Sequence, residues 1–182
     1  FLLVFIVVYI FLQDFRSTLI PAIAVPVSLV GTFFFLQIFG FSLNLLTLSA
    51  LVLAIAIVVD DAIVVVEAVH AKLDEGYDSA RTASMDAMHE ISGAIISITL
   101  VMAAVFVPVS FISGISGTFY REFGVTMAVS IVISAVNALT LSPTLCALLL
   151  RPHKGHEGKK LSFIDRFHLA FNAVYENRVL RP

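Results

Sequence analysis

Apolar runs broken by short polar turns dominate the chain, and the run at 45–67, LLTLSALVLAIAIVVDDAIVVVE, is its centre. A membrane-crossing helix needs about 20 predominantly apolar residues, and this run meets that length. Residues 1–12 are apolar but too short to cross alone, and they read as the C-terminal part of a first span. Three further runs, 18–39, 91–112 and 123–150, complete a predicted bundle of about five transmembrane helices, the first truncated. The turn at 13–17 closes the first run. Pro26 is expected to kink the second, whereas Pro21 sits near a helix start, where proline is inexpensive. Asn44 is the expected N-cap of the central helix, and Gly76 its stop.

Two segments break the apolar pattern. Residues 78–90 read as a water-soluble helix capped by Asp78, with Ala80, Ala83, Ala87 and Ile91 as a modest stripe lying on the membrane face. Beyond Leu150 a basic linker (Arg151, Lys154, Lys159, Lys160) leads to Ser162 and Asp165, which have capping-box spacing. Phe163, Phe167, Phe171, Val174 and Tyr175 then fall on one helical face, as in an amphipathic helix held at the membrane interface. The expected fold is therefore all-α and integral to the membrane, with one interfacial amphipathic helix.

Composition agrees. With 59% hydrophobic and 13% charged residues and a mean hydropathy of +1.02, the chain is far more apolar than a soluble domain, where about half and a quarter are usual. A net charge of -2 with a pI near 6.2 adds little, because the charges are segregated. No basic stripe accompanies exposed aromatics, so nucleic-acid binding has no support. The single cysteine, Cys146, admits no intrachain disulfide and reads as a small buried hydrophobe. His70, His89, His153, His156 and His168 are scattered, with no metal-ligand cluster. The chain opens at Phe1 inside an apolar run, without initiator methionine or cleavage site, and reads as an internal fragment of a longer polypeptide.

Asp60 and Asp61 are the candidate functional residues. A carboxylate at the centre of a membrane helix costs about 2.5–3.5 kcal/mol on insertion scales, so two adjacent ones need protons or a cation. Asp60 precedes Val66, the last apolar residue of the run, by six residues, which puts it about 9 Å inside at about 1.5 Å per residue. Aspartate is too short to snorkel from there. A coupled pair that can hold one or two protons suits a proton-driven machine. The plainer reading is a pair neutralised permanently by a buried cation and serving assembly alone. No lysine or arginine lies inside any predicted span, so a partner cation must come from outside this chain. An intramembrane aspartyl protease also uses two aspartates, but supplies them from different segments facing one water. Neighbours on one helix diverge by about 100° and do not make that arrangement.

Ser92, Ser97, Thr99, Ser130, Ser134, Asn137 and Thr140 lie along the later spans. They suit close helix packing and interhelical hydrogen bonds, and a direct part in proton transfer is the second role open to them. Positive charges orient the bundle: Arg16, Lys72, Arg81 and the seven Lys and Arg of the tail fall on one side, and Arg121 alone on the other. The positive-inside rule makes loops 13–17, 67–90 and 151–182 cytoplasmic.

Residues 7–21 (VVYIFLQDFRSTLIP), 31–67 (with FGFSLNLLTL and LVLAIAIVVDDAIVVVE) and 104–123 (AVFVPVSFISGISGTFYREF) resemble successive parts of the resistance-nodulation-division (RND) superfamily, in its hydrophobe/amphiphile multidrug-efflux branch. The resemblance covers 1 to about 152. It implies the second to sixth spans of a twelve-span inner-membrane protomer, hence half of its transmembrane domain, plus the cytoplasmic surface helix. It also implies that Asp60 and Asp61 bind and release protons, pairing with a lysine in the other half. Such proteins are drug/proton antiporters rather than enzymes, with protons as the coupling ion and no cofactor. They work as homotrimers with a periplasmic adaptor and an outer-membrane channel, and their drug pockets lie in periplasmic domains. Heavy-metal RND exporters usually lack the second aspartate, which leaves metal efflux as the runner-up. An RND relative exporting lipid or protein is also compatible with these residues, as is a passive membrane scaffold. Ala56 and Ala68 depart from the glycine and asparagine common in this branch, and neither touches the acidic pair.

Overall fold

The computed structural model describes residues 2–12, 14–114 and 116–151. Six helices form these residues: α1 (Leu2–Leu12), α2 (Phe15–Ile38), α3 (Leu45–Asp74), α4 (Ala80–Val109), α5 (Gly117–Leu139) and α6 (Leu141–Leu149). Four stretches, Phe15–Ile38, Leu45–Asp74, Ala80–Val109 and Gly117–Leu149, are long and apolar enough to cross a bilayer. The protein is an all-α, multi-pass membrane protein.

Local chemistry sets the helix ends. Asp14 caps α2, accepting the amides of Arg16 and Ser17. Asn44 caps α3 in a capping box: its Oδ1 accepts the Thr47 amide at 2.9 Å and its own amide donates to Thr47 Oγ1 at 2.8 Å. Gly76, at φ +100°, takes the left-handed conformation after the α3 C-cap Glu75, in keeping with its expected role as the helix stop.

The residues 78–90 do not form a separate surface helix. They run without a break into the following span as the first third of α4, because no proline or left-handed glycine intervenes and the stripe of Ala80, Ala83 and Ala87 continues in register to buried Ile95. The N-cap is Ser79, whose Oγ accepts the Arg81 amide at 3.3 Å, and not Asp78. The expected span at 123–150 is divided at Thr140, with φ −122° and ψ −62°. Pro143 explains the place: its ring conflicts with the carbonyl four residues earlier, that of Leu139, and it has no amide to donate there. The expected amphipathic helix from Ser162 lies outside the described residues.

Three apolar clusters hold the bundle. Val8 of α1, Ala24 and Val25 of α2, and Val58, Val59 and Ala62 of α3 form one. Ala50 and Ala54 of α3 meet Met127 and Ile131 of α5 in a second. Val65, Val66 and Val69 of α3, Ala83 and Ala87 of α4 and Cys146 of α6 belong to a third. Small residues allow these close approaches. Gly124 is the extreme case, since a Cβ there would meet Ser110 Oγ at 2.8 Å and the Phe106 carbonyl oxygen at 3.0 Å. In contrast, only 6% of the apolar window of α4 is buried within the chain.

Candidate functional site

The site begins with the register of α3. Ala50, Ala54, Val58, Ala62, Val65, Val69 and Leu73 are buried at intervals of three and four, so one continuous face of α3 packs inward. Asp61 sits at the edge of that face, about 100° from Ala62, and is half-buried; Asp60, about 200° from Ala62, is exposed on the described chain. The two carboxylates therefore serve different surfaces.

Asp61 meets α5, where Ser134 Oγ donates a hydrogen bond to Asp61 Oδ2. Ser134 is itself 1% exposed. It belongs to a buried polar seam, Thr126, Ser130, Ser134 and Asn137, spaced by four, four and three residues along one face of α5. Asn137 Nδ2 donates to Ser28 Oγ of α2 at 2.6 Å. Ser130 Oγ lies 3.3 Å from Thr32 Oγ1 of α2 and 2.8 Å from the Thr126 carbonyl oxygen. Thr126 Oγ1 in turn donates to the Glu122 carbonyl at 2.6 Å, and Asn44 Nδ2 donates to the Glu122 carboxylate. A chain of hydroxyl and amide groups thus runs beside α3, from the turn before it to a level beyond Asp61. These groups can orient a carboxylate and exchange hydrogen bonds with it as its proton content changes.

From the sequence, Ser130, Ser134 and Asn137 are members of a group suited to packing, with a direct part in proton transfer as the second role. The structure brings Ser134 to Asp61 and sets Ser130 and Asn137 against α2, whereas Ser97 and Thr99 of α4 donate to carbonyls of their own helix, those of Gly93 and Ile95. The spacing along α5 was the available signal. Among the described residues no Lys or Arg forms an ion pair with Asp60 or Asp61, and no group of His, Cys, Asp and Glu is arranged to hold a metal ion.

A second polar cluster ties α2 to the far end of α3. Ser17 Oγ lies 2.7 Å from Asp14 Oδ2 and 2.6 Å from His70 Nε2. Partial burial opposes ionisation of Asp14, but the hydrogen bonds from Ser17, from its own Oγ and the backbone amides, and the nearby His70 outweigh it and hold the carboxyl below its usual range. Ser17 bridges the acid and the imidazole, so these contacts latch the N-terminus of α2 to α3.

A family model described as AcrB/AcrD/AcrF matches residues 1–181, nearly the whole chain. The chain belongs to the AcrB/AcrD/AcrF family. Among its relatives, the multidrug export protein AcrF of Escherichia coli (strain K12) is 45% identical over 172 residues, covering 94% of this chain and 17% of that protein. The solvent-resistant pump membrane transporter SrpB of Pseudomonas putida is 48% identical over 174 residues, covering 93% of this chain and 16% of the pump. The multidrug resistance protein MdtC of Yersinia pestis bv. Antiqua (strain Angola) is 43% identical over 173 residues, covering 95% and 17%. This member of the AcrB/AcrD/AcrF family therefore spans about one sixth of the length of these relatives. The family agrees with the RND resemblance read from the sequence.

Proposed function

We propose that the protein to which this chain belongs is a proton-driven exporter of hydrophobic and amphiphilic compounds, a transporter and not an enzyme, and that Asp60 and Asp61 form the acidic half of its proton relay. The observation that carries this reading is a pair of carboxylates inside an apolar span-length helix, one of them held by a buried hydroxyl from a neighbouring helix. Acids in such a place are functional as a rule, because their desolvation is costly unless their charge is used. The relatives' names, a multidrug export protein and a solvent-resistant pump, supply the cargo class.

In this mechanism a proton from the periplasmic side neutralises one carboxylate and removes its attraction for a cation outside this chain. Asp60, on the exposed face of α3, is the acid that meets that cation. Asp61 exchanges its hydrogen bond with Ser134 at the same time, so that α3 and α5 change their relative hold. The helix shift passes to export domains beyond this stretch. A potential of 100 mV contributes about 2.3 kcal/mol per proton, enough to move a two-state equilibrium by well over tenfold. The inner membrane, cytoplasmic placement of loops 13–17, 67–90 and 151–182, a homotrimer, a periplasmic adaptor and an outer-membrane channel all belong to this proposal, and the charge asymmetry of the loops supports the orientation.

The test is Asp60→Asn and Asp61→Asn, made singly in the full-length protein. Each is expected to abolish drug export and proton uptake in proteoliposomes while expression and assembly stay near normal. Retained resistance with either change overturns the relay.

A further inference from the structure

At about 1.5 Å per residue α4 is about 45 Å long, some 15 Å longer than a hydrocarbon core of about 30 Å. Its first ten residues or so therefore stand in the headgroup belt. Within that stretch the charges are sorted by face. Asp86 accepts the Tyr77 hydroxyl at 2.8 Å, and Glu90 pairs with Lys72 Nζ at 2.5 Å. At about 100° per residue these two acids lie about 140° and 180° around the helix from Arg81. The Arg81 side of α4, the facing side of α6 and Leu139 of α5 flank an open cavity of about 740 Å³. Among the described residues that line it, Arg81 and His89 are the ionisable groups and no acid is present.

The wall is amphiphilic along its length: Arg81 is at the headgroup end, Met85 and Met88 follow on the same side of α4, and Leu139 closes the deeper end. The volume lies within the range of about 300–1,000 Å³ typical of small-molecule sites.

We propose that this cavity binds one acidic phospholipid, with its phosphate at Arg81 and an acyl chain laid along Met85 and Met88 towards Leu139. Charge complementarity selects the lipid over the following stretch of this chain. Residues 151–182 carry seven Lys and Arg against three Asp and Glu, the same sign as the cavity. The lipid site does not rest on the transport reading, since it needs only the membrane placement of α4 and α6.

Native mass spectrometry of the full-length transporter, released from bilayers holding equal phosphatidylglycerol and phosphatidylcholine, tests the site. Phosphatidylglycerol is expected to be retained in excess. Arg81→Gln should lower that retention about fivefold, the equivalent of about 1 kcal/mol for a basic residue at an acidic membrane surface. Adding His89→Gln lowers it further, while Arg81→Lys and Arg151→Gln, the latter a basic residue outside the cavity, leave it near the starting level. The mass of the assembled protein in the same spectra reports folding of each variant. A benzoylphenylalanine photocrosslinker placed at Leu148, which is 74% exposed at the cavity mouth, should capture phosphatidylglycerol. Equal retention of the two lipids, unchanged retention in the Arg81→Gln/His89→Gln variant, or capture of a peptide from 153–182 in place of lipid overturns the proposal.

Discussion

Replacing Gly124 by alanine tests whether close approach of α4 and α5 holds the seam against Asp61. The Cβ added at Gly124 would lie 2.8 Å from Ser110 Oγ, 3.0 Å from the Phe106 carbonyl oxygen and 3.1 Å from the Ser110 amide nitrogen. Two of those three atoms are backbone, so relief requires α4 and α5 to part by several tenths of an ångström. Overpacking of this kind costs about 1–3 kcal/mol. Alanine gains about 0.8–1.0 kcal/mol over glycine in intrinsic helix propensity, which partly offsets it. Gly93 of α4 supplies the reference, because nothing lies within 4 Å of a Cβ built there and Gly93→Ala should register the propensity gain alone. The difference between the two variants therefore isolates the contact, at about 1–3 kcal/mol. Gly31→Ala belongs between them, its Cβ meeting only Ile133 side-chain carbons at 3.4 Å. Denaturant titration of the full-length protein in detergent measures the series. Adding Ser110→Ala removes the 2.8 Å contact but leaves the backbone ones, so rescue of Gly124→Ala is expected to be partial. Because α5 carries Ser134, the same displacement should lower transport. Equal stability of Gly124→Ala and Gly93→Ala would refute the packing argument, and complete rescue by Ser110→Ala would remove the backbone from it.

Three further outcomes follow. Asp14 has its folded carboxyl below the ordinary value of about 3.9, so its stabilising contribution is fully present above that value and is lost as pH falls through the lower, folded one; Asp14→Ala should cost about 1 kcal/mol, seen as roughly fivefold faster amide exchange at Ser17 near neutral pH. Pro143→Ala restores a donor to the Leu139 carbonyl, so α5 and α6 should join through Thr140 and the new amide at position 143 should be protected from exchange; an unprotected amide would mean that packing, not proline, sets the break. Asp61→Asn keeps a side-chain acceptor for Ser134 whereas Asp61→Leu does not, so both should stop export but only the leucine variant should also lower stability, by about 1–3 kcal/mol in the same denaturant titration.

Much of the fold is legible in local signals. Asn44 and Gly76 delimit α3 through side-chain capping and a left-handed turn, both decided by residues within a few positions. The run length and the doublet are equally local. The errors arise where polarity and helix continuity part company. From Ala80 to Glu90 the residues turn polar, but the turn-by-turn spacing of Ala80, Ala83 and Ala87 is undisturbed, so the helix continues while its surroundings change from headgroup to hydrocarbon. Pro143 was visible, yet its effect falls four residues earlier, at Leu139. The seam on α5 has a readable spacing. Which helices it meets depends on contacts such as Asn137 with Ser28, 109 residues apart, and no local pattern encodes that pairing.

The doublet gains its meaning from the angle between neighbours on a helix. A single acid on α3 must either sit against the other helices of this bundle or point away from them. Two in succession, about 100° apart, do both at once. Asp61 lies against α5 and takes a hydroxyl hydrogen bond, and Asp60 lies on the side that the described helices leave uncovered. Any event that alters charge at Asp60 is then one residue away from a contact that holds α3 to α5. The backbone between them belongs to a continuous helix whose buried face is small residues and valines, with little room to absorb a local change. In the proposed relay such a helix would move as a body, and a charge change on one face would be felt as a shift in packing on the other.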